Sequence, residues 1–339
     1  MIHTEKIFRP DRNPRLQELL TRFDLTLPEN TDDNVGLYDG DQLVGCGFLK
    51  GNMFQGIAID PAYQGEGLSA TLISALIQLA VQRGMTYYQI ITKPSMATMF
   101  MNLGFRRVAD ASPYAVFLEN GAGSVAAYAK SLQEFAQGAP EPRACLVMNC
   151  NPFTLGHRYL VEKAAAENPW VFLLVVEEDR SEFPFADRIR LVREGVRDLP
   201  NVQVLSGGDY VISSRTFPAY FTRQESLSAA QGAMDAAVFA AVVAPALGVA
   251  RRYVGTEPFS ASTALYNEAL TERLPPRGIE VVVVERTSAN GEIISASKVR
   301  QCLREGDWDQ VKKLVPESTW AYLRSGAAEH VIENMKHKE

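Results

Sequence analysis

Apolar positions fall into two patterns along this chain. In the first third they form short runs closed by turn residues. From about residue 143 they form continuous runs that alternate with helical periodicity. Val35 to Tyr38 and Leu43 to Leu49 predict two strands joined at Asp39-Gly40-Asp41, because Asp-Gly between apolar runs favours a tight hairpin. Phe54 to Ile59 predicts a third strand, ended by Asp60-Pro61. A glycine loop, Gln64-Gly65-Glu66-Gly67-Leu68-Ser69, then opens a helix with apolar Leu72, Ile73, Leu76, Ile77, Leu79 and Ala80. Ile90-Ile91 predicts another strand, Met96 to Leu103 a helix, and the surroundings of Val108 and Val116 a last strand pair.

Gly121-Ala122-Gly123-Ser124, a helical stretch from Val125 to Ala136, and Gly138-Ala139-Pro140-Glu141-Pro142 interrupt the pattern, as Gly/Pro clusters do at domain boundaries. The expected division is a first domain over 1–122, a helical linker over 123–142 and a second domain over 143–339. In the second part, Ala144 to Met148, Trp170 to Val176, Val202 to Leu205, Arg252 to Gly255 and Ile279 to Val284 predict strands. Helices are expected between them, with Leu160, Val161, Ala164 and Ala165 on one face of the first, and an Ala-rich helical insertion is expected between Phe217 and Gly248. Such alternation predicts a doubly wound parallel sheet, which binds ligands at the carboxyl ends of its strands.

At 339 residues, two domains are the natural expectation. A hydrophobic share of 46% with 22% charged residues is that of an ordinary globular protein, and no apolar run stands out as a membrane span. The net charge of −6, without a basic block, argues against nucleic acid. Met1 to Arg12 is too polar for a signal peptide. Cys46, Cys145, Cys150 and Cys302 are scattered without zinc spacing, so reduced, packed thiols, a cytoplasmic location and no bound metal are expected.

Candidate chemistry gathers at three helix starts. Asn151-Pro152-Phe153-Thr154-Leu155-Gly156-His157 follows the strand Ala144 to Met148 and opens a helix. First-turn amides lack intrahelical acceptors and carry the positive end of the helix dipole, so an anion fits there, with Thr154 and His157 as added donors. Ile294-Ser295-Ala296-Ser297-Lys298-Val299-Arg300 opens a late helix, with Ser295 as N-cap and a hydroxyl and a guanidinium in its first turn. The Gly65 and Gly67 loop is a third, weaker phosphate-binding candidate. Arg188 reads as a solvated helix charge in preference to a phosphate contact, Asn267 as a cap or turn residue or an adenosine contact, and Trp170, Trp308 and Trp320 as packing residues.

The glycine loop, its flanking elements and Asn102-Leu103-Gly104-Phe105 resemble the acetyltransferase (GNAT) superfamily, whose loop binds acetyl-CoA. Gln64 and Ser69 depart from that family's loop pattern. Phe100 stands where many members place a proton-donating tyrosine, so the resemblance implies a cradle for a CoA-like arm (Gln64, Gly65, Gly67, Ser69) without an obligatory acetyl transfer. Thr154-x-Gly156-His157 with Ile294-Ser295-x-Ser297-x-x-Arg300 resembles the Rossmann-like nucleotidyltransferases of the HIGH superfamily. That resemblance implies that Thr154, His157, Ser297 and Arg300 act on the departing pyrophosphate, that Ser295 and Gly156 bind ATP, and that Mg²⁺ arrives with it.

Phe217-Pro218-Ala219-Tyr220-Phe221, Arg252 to Pro258, Tyr266-Asn267 and Ile294 to Ser297 together are similar to the citrate lyase ligase family, which combines both kinds of domain. Glu257 is a candidate adenosine contact within that set. The family implies an AMP-forming acid–thiol ligase. Acetate and ATP give acetyl-AMP and pyrophosphate, and the acetyl group passes to the dephospho-CoA-like thiol on the acyl carrier subunit of citrate lyase. A cofactor-biosynthetic adenylyltransferase, of the phosphopantetheine or nicotinamide-nucleotide type, would use the same phosphate residues. Neither reading involves a membrane or nucleic acid.

Overall fold

The computed structural model describes residues 1–65, 67–122, 125–177, 181–212, 217, 224–256, 261–286, 288–289 and 292–337. By internal contacts the chain divides into two compact units, Met1–Tyr128 with Thr216–Ala237, and Ala129–Arg215 with Val238–Glu339. Chain order places residues 224–237 in the second half, yet their contacts group them with the first unit.

In the first unit, β1 (Ile2–Lys6), α1 (Pro14–Thr21), β2 (Asp33–Asp39), β3 (Gln42–Lys50) and β4 (Met53–Ile59) are followed by α2 (Leu68–Gln82). Then come β5 (Tyr87–Thr92), α3 (Pro94–Asn102), β6 (Arg106–Ala111) and β7 (Ala115–Gly121). They form one mixed sheet in the order β1-β2-β3-β4-β5-β7-β6. The expected hairpin is present, with Asp39 paired to Gln42 across Gly40, whose φ of +55° suits a residue without Cβ. Leu72, Ile73 and Leu76 of α2 pack on one face of the sheet against Val35, Leu37 and Phe54. Leu16, Leu19 and Leu20 of α1 cover Cys46 and Phe48 on the other. Strands β4 and β5 run parallel and pair at Met53 with Gln89, then separate. That parting opens a cleft between Ile57–Ile59 and Ile90–Lys93, at the start of α2.

The helix α4 (Val125–Ala136) leads to β8 (Arg143–Met148), α5 (Leu155–Glu167), β9 (Trp170–Val175), α6 (Phe185–Gly195) and β10 (Val202–Ser206). The Ala-rich insertion is helical as expected. It comprises α7 (Gln224–Val238), a π-helical turn over Phe239–Val243 and α8 (Ala244–Leu247), closed by Gly248 at φ +65°. Its run Leu227–Leu247 is long and apolar enough to cross a membrane, which differs from the sequence expectation, but 67% of its apolar window is buried within the protein. Apolar length alone cannot distinguish a core helix from a membrane span.

β11 (Val249–Gly255), α9 (Ala261–Arg273) and β12 (Glu280–Val284) complete the second sheet. Its order is β10-β9-β8-β11-β12, with every pair parallel. The sheet therefore winds outward in both directions from β8 and β11, and the crevice between their carboxyl ends is the usual ligand position of such folds. Four helices follow, α10 (Ala296–Glu305), α11 (Trp308–Leu314), α12 (Glu317–Arg324) and α13 (Glu329–His337). Val299, Leu303, Leu314 and Leu323 join them to the core made by Leu146, Leu173 and Val192. The four cysteines are free and buried, as packed thiols should be.

Candidate functional site

The chain leaves β8 at its carboxyl end, turns through Asn149 to Phe153 and enters α5 at Thr154. Thr154 is the N-cap in extended conformation (φ −120°, ψ 167°), and its Oγ1 accepts the His157 N–H at 3.3 Å. His157 returns the bond: its Nδ1 accepts the Thr154 N–H at 3.1 Å, with the Thr154 hydroxyl 3.0 Å away. This reciprocal cap replaces the Glu that usually stands three residues after the N-cap. Because Nδ1 serves as acceptor, the neutral ring carries its proton on Nε2, which is a donor turned away from the cap.

His157 is half-buried and stacks on Phe153, with centroids 6.0 Å apart and planes at 12°. Burial, and then the nearby positive charge of Arg286, push its pKa down to about 4. Protonating Nδ1 would also set a donor against the Thr154 N–H, so geometry and electrostatics both favour the neutral imidazole.

The second motif forms the matching helix start. Ser295 caps α10 in extended conformation, and its Oγ accepts the Lys298 N–H at 3.1 Å. Ser297 is exposed in the first turn, 3.4 Å from Arg300 Nη2. Arg300 reaches back to the first motif, where Nη1 donates to the Asn151 carbonyl at 2.6 Å across 149 residues of chain.

Gly156 makes the other junction. A methyl group there would lie 2.9 Å from the Ile294 carbonyl oxygen and 3.5 Å from the Ile294 Cβ. The two helix starts thus meet backbone to backbone, and only a residue without Cβ fits the contact. Thr154, Gly156, His157, Ser295, Ser297 and Arg300 fall in one neighbourhood at the carboxyl end of the sheet. The cluster presents two helix N-termini, an Nε2–H, hydroxyls and a guanidinium, a donor set suited to a polyphosphate.

Two groups not picked out by sequence join this neighbourhood. Glu182 accepts from Asn151 Nδ2 at 2.6 Å and lies 3.5 Å from Arg300 Nε. Arg286, whose charge is felt at His157, donates through Nε to the Thr256 carbonyl at 2.6 Å. Both lie on irregular segments outside the motifs, where residue type alone carries no positional signal.

Arg188 corrects the expectation of a solvated charge. It is fully buried and donates to the carbonyls of Phe183 (3.0 Å), Asn149 (2.6 Å) and Val176 (2.8 Å), tying α6 to the ends of β8 and β9. Asn267 Nδ2 donates to the Gly255 carbonyl at 2.8 Å, capping the end of β11. Glu257 lies outside the described residues. Among the described residues, no group of three or more His, Cys, Asp or Glu is arranged to hold a metal ion.

The first unit has its own concavity of about 860 Å³, within the range of small-molecule sites. Gln64, Gly65, Gly67 and Ser69 line it at the start of α2, and Phe23, Ile57, Met99 and Phe100 form apolar walls. Gly65 and Gly67 take φ of +91° and +75°, and a side chain at either would meet no atom within 4 Å, so the loop backbone is open to the cavity. Gln64 Nε2 is used within the fold, donating to the Ile59 carbonyl at 3.1 Å. Phe100 is 3% exposed and packs edge-on to Phe105. Among the described residues, the lining contains no Asp, Glu or His.

Two family profiles match successive parts of the chain. The profile of the citrate lyase ligase C-terminal domain matches residues 143–323, and that of the acetyltransferase (GNAT) family matches residues 3–105. The citrate (pro-3S)-lyase ligase of Escherichia coli (strain K12) is 38% identical over 318 residues, spanning 91% of this chain and 90% of its own. The Klebsiella pneumoniae enzyme of the same name is 38% identical over 317 residues, spanning 92% of each chain. A phosphopantetheine adenylyltransferase of Mannheimia succiniciproducens shares 38% identity over 61 residues, 17% of this chain and 38% of its own. A profile over more than half the chain and relatives matched nearly end to end lead to one conclusion: the chain belongs to the citrate lyase ligase family.

Proposed function

We propose that this chain activates acetate with ATP and delivers the acetyl group to the thiol prosthetic group on the acyl carrier subunit of citrate lyase. The observation that carries the reading is the junction of the two motifs, with Gly156 against Ile294 and Arg300 on the Asn151 carbonyl. It gathers donors where a triphosphate would lie along two helix N-termini. A carboxylate oxygen of acetate attacks the α-phosphorus, the bond to the bridging oxygen breaks, and pyrophosphate leaves. His157 Nε2–H, the Thr154 and Ser297 hydroxyls and the Arg300 guanidinium take up the negative charge that grows on the leaving group. Ser295 and Gly156 bind through the backbone at the two helix starts. Preorganised donors of this kind each contribute about 3 kcal/mol to such a step, so no covalent protein nucleophile is needed. Mg²⁺ carried in with ATP would supply charge neutralisation for the phosphates. The carrier thiolate then attacks the acetyl carbonyl carbon and AMP leaves.

In this reading the cavity of the first unit receives the CoA-like arm of the carrier. Its open loop at Gly65 and Gly67 suits a diphosphate, and its apolar walls suit the arm; among the described residues its lining offers no carboxylate or imidazole as a base. Phe100, without a proton to give, fits binding in place of transfer.

The test is exchange of labelled pyrophosphate into ATP, with and without acetate. The wild type should exchange only with acetate, and His157→Ala should lose exchange by about a hundredfold or more. Gly65→Leu with Gly67→Leu should spare exchange and impair acetylation of the carrier. Exchange driven by phosphopantetheine instead of acetate would favour an adenylyltransferase, and exchange untouched by His157→Ala would sink the assignment of the site. Equal loss of both activities in the glycine variant would end the division between units.

A further inference from the structure

We propose that Glu182 is a positioning residue for adenylation, orienting Arg300 by its charge while opposing the phosphates that Arg300 receives. The inference rests on the reading above, in which Arg300 faces the triphosphate.

Glu182 stands just before α6, on the segment that leaves the carboxyl end of β9. Its Oε2 takes the Asn151 amide at 2.6 Å and lies 3.5 Å from Arg300 Nε, and its Oε1 lies 3.9 Å from Arg304 Nη2. Asn151 is held from its other side as well, since its Oδ1 accepts the Phe183 N–H at 3.0 Å. The Asn151 carbonyl in turn accepts from Arg300 Nη1. One carboxylate therefore stands behind both the guanidinium and the backbone group that anchors it.

The contact with Arg300 is an ion pair without a hydrogen bond, because Arg300 Nε has no hydrogen-bond partner. Its effect is electrostatic, and charge is the property to test. Arg300 and Arg304 occupy successive turns of α10 and repel each other. Glu182, set between them, offsets that repulsion. Burial alone would raise its carboxyl pKa, but the Asn151 hydrogen bond and the two arginines outweigh burial and keep it ionised. Of the five guanidinium N–H groups of Arg300, one on Nη1 is used by Asn151 and one on Nη2 by Ser297. The remaining N–H on each terminal nitrogen is left for phosphate oxygens. The orientation of that fork depends on the charge behind it. The same negative charge repels an incoming triphosphate, so Glu182 trades ATP affinity for alignment.

Most contacts support binding and turnover together, whereas this trade predicts a split. Glu182→Gln keeps the shape and an acceptor for Asn151 but removes the charge. In acetate-dependent pyrophosphate exchange, KM for ATP should fall about threefold, from relief of a screened repulsion. The rate at saturation should fall about tenfold, from a guanidinium less well held. Glu182→Asp, which retains the charge, should restore KM to within about twofold of wild type and recover part of the rate. Melting curves for both variants check that the folded fraction is unchanged. KM and rate both within twofold of wild type in Glu182→Gln would overturn the inference. So would a raised KM at unchanged rate, or a loss of rate that Glu182→Asp shares in full. A wild-type protein without acetate-dependent exchange would instead overturn the functional reading beneath it, which the same experiment reads separately.

Discussion

Replacing Gly156 by Ala tests whether the two motifs work as one site. The substitution leaves Thr154, His157, Ser295, Ser297 and Arg300 chemically intact and adds a single methyl group at their junction. That methyl would stand 2.9 Å from the Ile294 carbonyl oxygen, whereas ordinary Cβ contacts begin near 3.4 Å. The starts of α5 and α10 must therefore part by roughly half an ångström, since a backbone carbonyl cannot rotate aside as a flexible side chain would. A misplacement of about 1 Å costs on the order of a hundredfold in rate, so half of that predicts about a tenfold loss. Stability should move much less. Ala in place of Gly within a helix gains roughly 0.5–1 kcal/mol, and overpacking costs about 1–3 kcal/mol, leaving a net loss near 1 kcal/mol. For a unit of this size that lowers Tm by roughly 2–4 °C. The assay is acetate-dependent pyrophosphate exchange at 25 °C beside a thermal melt. Gly326→Ala is the control, because a Cβ there meets nothing within 4 Å. Gly156→Ala with rate and KM within twofold of wild type would refute the argument that this backbone contact sets the geometry of the site.

Two further outcomes follow from groups buried around the site. The folded protein keeps His157 neutral down to about pH 4, whereas the unfolded chain protonates its ring near 6.5. Below about pH 6.5 the unfolded state binds the extra proton, so this contribution is whole above 6.5 and is lost as pH falls toward 4. Its upper bound is about 3 kcal/mol, reduced because the half-buried ring meets solvent at its edge. Urea titrations at pH 7 and pH 5 should differ by less in His157→Gln than in the wild type, and equal differences would contradict the shift. Arg188→Met should destabilise the second unit by about 3–5 kcal/mol, because three carbonyls lose a charged donor in a buried setting. A denaturant midpoint giving less than about 1 kcal/mol would mean those groups find other partners.

Features set by neighbours in sequence were legible before any coordinates. Asp39-Gly40-Asp41 makes its hairpin, Ser295 caps α10, and the apolar runs around Leu146 and Leu173 are central parallel strands. The glycine loop opens α2 beside a cavity. Each depends on local backbone preference or on hydrophobic periodicity, both of which are written within a few residues. Thr154 and His157 belong to this class in position, but the reciprocal cap that fixes the tautomer of the ring required atomic geometry.

What tertiary structure decided concerns contacts between distant segments and the burial of charge. Arg188 has the composition and periodicity of a surface residue on α6, yet three main-chain carbonyls from separate segments converge on it. Residues 224–237 lie in sequence between β10 and β11 of the second sheet but group with the first unit, because apolar helices bury wherever complementary surface is found. Glu182, far from either motif, reaches Arg300 only because β8 and β9 pair in parallel and bring their carboxyl ends together. Sequence by itself determined the elements and the residue types able to grip an anion. The meeting of the two motifs came from the fold, since a contact such as Gly156 against Ile294 depends on two backbones meeting at a spacing that neither segment encodes alone.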